Sequence, residues 1–182
     1  PYNNTLPQPD ALAVAIGRDG ISNDNLVVLS SSSHLMWATR AWWLLRYAGH
    51  TNVKVLNGNL AAWLDAGLPV EAGAKVYAAA TFSPSERADV FVSTAEMVAG
   101  MEDGVCTVNA LSPALYEGTG EFYYGRRGQI PGSRSRYVSE LVRNEVLRAA
   151  ERLRAMVTAS SSSSESSGAI VRGRRAAGGG AA

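Results

Sequence analysis

The sequence predicts an α/β fold in which parallel strands alternate with helices. Two short apolar runs, 26–29 and 53–56, are bounded by polar residues, a pattern typical of buried parallel strands. A segment with apolar residues at helical spacing follows each run, 36–47 after the first and 60–66 after the second. Because strand and helix alternate with short connections, we expect a parallel sheet covered by helices and joined by right-handed crossovers.

Glycines mark the ends of the helices in the first half. A helix over 10–16 is followed by Gly20, and the long helix after the first strand ends before Gly49. Gly67 stops the helix over 60–66. The helix over 36–47 is predicted to bury one apolar face, made of Met36, Trp37, Trp43, Leu44 and Tyr47.

The second half carries a weaker pattern. Residues 69–88 are rich in Ala, Pro and Ser without a clear period, which favours an interdomain linker. Beyond them the sequence predicts a strand over 90–92, a helix from a capping box at 93–96 to Met101, a strand over 106–108, a short helix after Asn109, a glycine-rich loop over 118–135 and a helix over 143–157.

Residues 159–168 are nearly all Ser, and 172–182 contain only Arg, Gly and Ala, so neither stretch is expected to order itself. A last strand is predicted between them, over 169–171.

Composition describes an ordinary globular protein and argues against two classes of partner. Apolar residues make up 46% of the chain, charged residues 18%, and the net charge is +1. Nucleic acid or an anionic membrane as main partner needs a concentrated basic face, whereas the Lys and Arg residues are scattered. No apolar run approaches the roughly 20 residues that span a bilayer. We therefore expect no nucleic-acid partner and no membrane partner.

The chain has a single cysteine, Cys106. One cysteine excludes an internal disulfide framework and a cysteine-based metal site within one chain. A reducing cytoplasm is the expected location. Because Cys106 opens an apolar predicted strand, we expect its thiol to be a small buried hydrophobe.

Two stretches of the sequence carry motifs of a known family. In the first half these are Trp-Trp-Leu-Leu-Arg-Tyr-Ala-Gly-His over 42–50, Asn-Val-Lys-Val-Leu-Asn-Gly over 52–58, Ala62-Trp63, and Gly-Leu-Pro-Val over 67–70. In the second half they are Asn-Ala-Leu-Ser-Pro over 109–113 and the segment 124–133. The first set resembles the closing half of a rhodanese module. The second resembles the opening half of another module, whose hallmark Gly-His-Ile-Pro-Gly stands here with Gln129 in place of the histidine.

The resemblance is to tandem-repeat rhodaneses, which are thiosulfate sulfurtransferases, and it implies two α/β modules with parallel sheets flanked by helices. Residues 1–72 are expected to form a first, non-catalytic module whose start is missing, followed by a linker over 73–89. Residues 90–171 are expected to form only the opening part of a second module, followed by a low-complexity tail over 172–182. The chain is thus expected to be a fragment that lacks both ends.

The reaction of this family requires a cysteine that the sequence does not place where it is needed. The family's thiolate takes sulfane sulfur from thiosulfate or a similar donor and passes it to cyanide or a thiol acceptor. It sits in a strand-to-helix loop, where backbone N–H groups and the helix N-terminus stabilise thiolate and persulfide. Here the first such loop is 30–35 and the second would be 172–180, and neither contains a cysteine. We therefore expect no catalytic residue and no more than background activity, and no metal or organic cofactor is implied.

Arg126 and Arg127 are the predicted substrate-binding residues. Two guanidinium groups in a glycine-rich loop can hold an anion such as thiosulfate by charge-assisted hydrogen bonds, although a solvated loop would carry the same residues. His34 is expected to be a surface residue, and His50 to benefit from its place at a helix end.

Two alternatives to a rhodanese-family sulfurtransferase remain open. One is a non-catalytic rhodanese-like module that binds anions or protein partners. The other is a truncated or corrupted copy of an active enzyme, which the change of composition at Ala159 favours.

Overall fold

The computed structural model describes residues 6–121 and 125–162, and for 157–162 the helical backbone alone. Cα packing divides the chain into two compact units. The first is Pro1–Ser93 with Val142–Leu147, and the second is Thr94–Leu141 with Arg148–Ala182. Residues 73–89, which the sequence suggests as a linker, are thus counted with the first unit.

The first unit alternates helices and parallel strands as the sequence predicts. Its elements are α1 (Pro9–Arg18), β1 (Val27–Leu29), α2 (Leu35–Tyr47), β2 (Val53–Val55) and α3 (Leu60–Asp65). Strands β1 and β2 pair in parallel, with Val27 opposite Val53 and Leu29 opposite Val55. The α/β fold class is confirmed for this unit.

The predicted strand over 90–92 is wrong, because a 3-10 turn occupies Ala88–Val90. The Arg87 guanidinium binds both carboxylate oxygens of Asp89, at 3.1 and 2.6 Å. The amide of Val90 also donates to the carbonyl of Arg87 at 3.2 Å. These local hydrogen bonds hold the segment in a turn, so it does not form a strand there.

Helix α2 packs on the sheet, but its buried face only partly matches the one that the sequence predicts. Its buried residues are Leu35, Ala38, Leu45 and Tyr47. Of the residues expected inside, Tyr47 is buried, Leu44 packs against the core, and Met36, Trp37 and Trp43 are about half exposed. The buried face therefore includes the small Ala38, 3% exposed, while three bulkier side chains of the helix lie half in solvent.

The irregular segment after α3 closes the core of the first unit. Phe82 is 6% exposed and joins the buried cluster of Leu12, Ala13, Ile16, Val27, Leu45, Tyr47, Ala48 and Val53. The backbone amides of Ala80, Ser85 and Arg87 donate to the carbonyls of Gly17, Ala48 and Tyr47 at 2.8–2.9 Å. Gly49 has φ +89°, and Ser85 leaves no room there for a side chain.

The second unit has strands of two residues and helices of 4 to 13 residues. These are α4 (Thr94–Glu102), β3 (Val108–Asn109), α5 (Pro113–Tyr116), β4 (Arg134–Ser135), a 3-10 turn at Val138–Glu140, and α6 (Ala150–Ser162). Strands β3 and β4 pair in parallel, Val108 opposite Arg134. Strand β4 ends the glycine-rich segment that the sequence predicts as loop throughout.

The predicted helix over 143–157 is wrong in its first turns. Strands β5 (Val142–Arg143) and β6 (Val146–Leu147) form an antiparallel hairpin there, and α6 begins only at Ala150. Asn144 and Glu145 form the turn with φ +50° and +60°, which a right-handed helix cannot contain. The hairpin is counted with the first unit although the sequence on both sides of it belongs to the second.

Helix α6 continues to Ser162, so the first residues of the serine-rich stretch are helical rather than irregular. The predicted strand over 169–171, the tail over 172–182 and the second strand-to-helix loop lie outside the described residues. None of the described helices is both long and apolar enough to cross a bilayer.

Candidate functional site

The loop after β1, residues 30–34, lies at the carboxyl end of the parallel strands and is held by hydrogen bonds on both sides. The amide of Leu60, the first residue of α3, donates to the carbonyl of Ser31 at 2.9 Å, and Asn59 Nδ2 donates to the carbonyl of Ser33 at 3.1 Å. Within the loop, the amide of Ser33 donates to Ser31 Oγ at 3.1 Å. In open α/β sheets this edge is where ligands bind.

The loop leads into the N-terminus of α2, where the chain places a carboxylate of its own. His34 precedes the helix with an extended backbone and gives it no side-chain cap. Instead the amide of Leu35 donates to Glu145 Oε2 at 2.5 Å, and His34 Nδ1 lies 3.2 Å from Glu145 Oε1. The Leu35 hydrogen bond, and then His34, lower the pKa of the Glu145 carboxyl. The anionic group at the N-terminus of α2 is therefore a carboxylate of the protein itself, that of Glu145.

A second contact ties the same hairpin to the turn after β2. The amide of Leu147 donates to Asn57 Oδ1 at 2.7 Å. The hairpin thus touches the segments that follow both parallel strands. Sequence reasoning missed Glu145, because the helical spacing of Val146 and Leu147 obscured a turn whose one signal is Asn144, a residue that tolerates positive φ.

Beside the loop lies a hollow with an apolar wall and a row of serines. It is lined by Val28, Ser30, Ser31, Ser32, Leu56, Leu60, Trp63 and Val70. Trp63 is fixed there by a hydrogen bond from its Nε1 to the carbonyl of Pro69 at 2.9 Å. Serine hydroxyls can donate hydrogen bonds, but they cannot carry sulfane sulfur as a persulfide, and no thiol lines this hollow.

Arg126 and Arg127 lie in the second unit and are both exposed. Arg127 Nη1 donates to the carbonyl of Gly118 at 3.4 Å and, more closely, to that of Gly120. Its guanidinium therefore braces the glycine-rich loop that contains it.

The segment with Gln129 forms a tight turn that leads into β4. The amide of Ser133 donates to the carbonyl of Ile130 at 3.0 Å, and Gly132 has φ +75°, which glycine adopts without strain. The Tyr116 hydroxyl donates to the carbonyl of Ser133, which fixes the turn to α5.

The cysteine and the two histidines differ in their settings. Cys106 precedes β3 and is exposed, so the expectation of a buried thiol is wrong. The reason is that β3 begins two residues later and leaves Cys106 outside the pairing. His50 is 2% exposed and packs edge-on against Phe82 at 5.9 Å between ring centroids. His34 is exposed and pairs with Glu145.

Among residues 6–121 and 125–162 no group of three or more His, Cys, Asp or Glu side chains is placed to hold a metal ion. The candidate site consists of the loop over 30–34, the N-terminus of α2 and the hairpin that carries Glu145. This arrangement can hold an anion by backbone N–H groups, and it holds a carboxylate.

Comparisons with known proteins identify the relatives of the chain. No family model matches it. It is 31% identical over 159 residues to the 3-mercaptopyruvate sulfurtransferase of Escherichia coli, a match that covers 86% of the chain and 57% of the relative. It is 42% identical over 84 residues to the thiosulfate sulfurtransferase of Gallus gallus, covering 45% of the chain and 29% of the relative.

Solved structures show which fold the chain is similar to. A crystal structure of a 3-mercaptopyruvate sulfotransferase from E. coli with the rhodanese fold matches with a TM-score of 0.77 and 28% identity, covering 87% of the chain and 60% of the neighbour. The Tum1 protein of Saccharomyces cerevisiae matches with a TM-score of 0.75 and 22% identity, covering 90% and 59%. The two curated relatives are thus sulfurtransferases, and the E. coli structure that the chain resembles has the rhodanese fold. The chain spans less than two thirds of the length of each.

Proposed function

We propose that the chain is a rhodanese-family sulfurtransferase sequence whose residues 1–182 do not by themselves complete the reaction. The observation that carries this proposal is a strand-to-helix loop at the carboxyl edge of a parallel sheet, residues 30–34, that contains serines and no thiol. The named sulfurtransferases among the relatives support the reaction class. The first unit is then the non-catalytic module of a two-module protein, and the second unit is part of the other module.

The proposed reaction is the transfer of sulfane sulfur from thiosulfate or a similar donor to cyanide or a thiol. A cysteine thiolate attacks the outer sulfur of thiosulfate, the S–S bond of the donor breaks, and sulfite leaves with the electron pair. The terminal sulfur of the cysteine persulfide then passes to cyanide, which gives thiocyanate and restores the thiolate. Both steps need a thiolate that is stabilised by backbone N–H groups or a helix N-terminus.

Cys106 lacks the setting that these steps require. It lies on an exposed segment before a strand of two residues, whereas the family's nucleophile sits between a strand and a helix. The element that follows it is β3, and the next helix, α5, begins only at Pro113. The chain therefore has a thiol without the environment that makes it a sulfur carrier.

The test is a thiosulfate:cyanide assay on the 182-residue chain, with thiocyanate as the product measured. We expect background turnover, and no stoichiometric addition of a sulfur atom to the protein by mass spectrometry after incubation with thiosulfate. Turnover above background that Cys106→Ser abolishes would sink the proposal, because it would make Cys106 the sulfur carrier.

A non-catalytic module that binds anions or protein partners is the second candidate. The observation that favours it is the pair Arg126 and Arg127, both exposed on a glycine-rich loop. Calorimetric titration with thiosulfate should show saturable binding that Arg126→Gln weakens at least tenfold and that Arg152→Gln, an exposed arginine on α6, leaves unchanged. Equal binding by both variants would exclude this loop as the anion site.

A further inference from the structure

The parallel sheet of the first unit has two outer edges, and the edge along β1 offers backbone groups that the pairing with β2 does not use. The amide of Val27 donates to the carbonyl of Asn52 at 3.0 Å, and the amide of Leu56 donates to the carbonyl of Leu29 at 2.8 Å. The backbone groups of Val27 and Leu29 therefore face β2. Because successive residues of a strand direct these groups to opposite edges, Val28 directs its N–H and C=O away from β2. In the part of the chain that the structure describes, no third strand pairs with this edge.

The side chains along the edge of β1 are apolar and reach solvent. Leu26 is 55% exposed and Val28 is 58% exposed, and residues 26–33 contain no charged side chain. Natural proteins protect an open edge with a charged residue or a proline, because unpaired N–H and C=O groups otherwise recruit another strand. Strand β1 has neither a charged residue nor a proline, so its edge can accept a further strand.

The outer edge of β2, by contrast, carries such a protecting residue. Lys54 lies at the centre of β2, is exposed and stands opposite Val28 in the register. If two copies of β2 paired antiparallel about this residue, the two ammonium groups would lie directly opposite each other, which is destabilising. Pairing between copies of the chain is therefore disfavoured at β2 and favoured at β1.

A second copy of the chain fits the edge of β1, because this edge is complementary to itself. When two copies meet antiparallel about a two-fold axis at Val28, the N–H of each Val28 faces the C=O of the other. The two Val28 side chains then lie side by side on one face of the sheet, next to Leu26 of each copy, and shield one another from water. Two sheets of two strands become one sheet of four, which meets the three or more strands that a stable sheet usually takes.

We propose that the chain self-associates through β1, as a symmetric dimer in which two copies of this strand pair antiparallel and form one four-stranded sheet. The interface lies wholly in the first unit. The proposal does not rest on the proposed function, since it involves no substrate, no thiol and no residue of the loop over 30–34.

The test measures self-association of the 182-residue chain by sedimentation equilibrium over a range of concentrations. A reducing agent is present, so that the exposed Cys106 forms no disulfide between copies. Val28→Lys places an ammonium group opposite its own copy. Val28→Pro removes the N–H at the centre of the interface and leaves the hydrogen bonds between β1 and β2 in place, because the N–H of Val28 does not face β2. Val76→Lys is the control, because it makes the same change at a valine that is 94% exposed and lies outside the sheet.

We expect a reversible monomer–dimer equilibrium in the unaltered chain. Val28→Lys and Val28→Pro should each raise the dissociation constant of the dimer at least tenfold, and Val76→Lys should leave it unchanged. Amide hydrogen exchange at Val28 should slow as the concentration of the unaltered chain rises, whereas exchange at Val55, whose N–H faces the outer edge of β2, should not.

Circular dichroism shows whether each variant folds, and Val28→Lys decides alone if Val28→Pro does not. The proposal is overturned if the unaltered chain is monomeric at every concentration. It is also overturned if a dimer forms whose dissociation constant Val28→Lys does not raise, because the copies would then meet at another surface.

Discussion

At the scale of single residues, backbone pairing sets the surroundings of both Glu145 and Cys106. Strand β3 begins at Val108 and leaves the Cys106 thiol exposed in front of it. The turn between β5 and β6 has positive φ and directs the Glu145 carboxylate to the amide of Leu35. By contrast, the absence of a thiol from the loop over 30–34 could be read directly, because it needs only composition and the position of one strand.

Removal of the Glu145 carboxylate should cost stability in a pH-dependent way. Glu145→Ala should lower the free energy of unfolding by about 1 kcal/mol at neutral pH, as loss of a helix cap does. The contacts with Leu35 and His34 lower the carboxyl pKa in the folded chain below its unfolded value of about 4.3. The stabilisation is therefore present above that value and is lost as the pH falls through the lowered folded pKa.

The measurement is chemical denaturation of the unaltered chain and of Glu145→Ala at about pH 7 and about pH 3, with Glu140→Ala as the control. The difference between the unaltered chain and Glu145→Ala should shrink at the lower pH, while the control shows a small difference at both. A difference that stays constant with pH would mean that the contribution of Glu145 is not that of an ionised cap.

At the scale of elements, the sequence predicts the helices and strands that have periodic apolar spacing, and it misses the short strands that depend on pairing with another segment. Strands β1 and β2 and helices α1–α3 were predicted within one or two residues, because periodic apolar spacing and glycine stops are local signals. The hairpin β5–β6 was missed, since Val146 and Leu147 fit helical spacing to Ala150 and Leu153 equally well. Strand β4 was missed because two residues give no period, and its partner β3 lies 26 positions earlier in the register.

The irregular segment after α3 gives a prediction at this scale, because Phe82 anchors it to the core. Phe82 is 6% exposed and packs against His50. Phe82→Ala should destabilise the first unit by roughly 3–5 kcal/mol, the usual cost of emptying a buried phenylalanine site. Val76→Ala, at a residue 94% exposed in the same segment, should change stability by less than about 0.5 kcal/mol. Thermal or denaturant unfolding checks both, and equal effects would show that the segment does not contribute to the core.

At the scale of the whole molecule, the buried apolar side chains are unevenly divided between the two units. Every buried hydrophobic residue among those described, from Leu12 to Phe82, belongs to the first unit. The buried residue of the second unit is Ser133, whose hydroxyl oxygen has no partner among the described groups. Two strands of two residues, beside helices with no buried apolar side chain among those described, fall short of the three or more strands, or helix packing, that independent stability usually takes.

Limited proteolysis should therefore cut the second unit first. Cleavage within 94–141 should precede cleavage within the first unit, since the segments there bury little apolar surface and open at low cost in free energy. The resistant fragment should end near Ser93, rather than before the irregular segment, because Phe82 and the backbone hydrogen bonds of Ser85 and Arg87 hold that segment to the core.

The hairpin makes the same experiment more specific. Residues 142–147 are docked on the first unit through Asn57 and the amide of Leu35, although their covalent links run to the second. After a first cut within 94–141, a peptide that contains the hairpin should remain bound to the N-terminal fragment under native conditions and separate from it in denaturant. Size-exclusion chromatography followed by mass spectrometry distinguishes the two. A protease-resistant core made of 94–141 would show that the first unit is not the more stable half. A hairpin peptide that is lost immediately on cleavage would show that Glu145 does not hold the hairpin to α2.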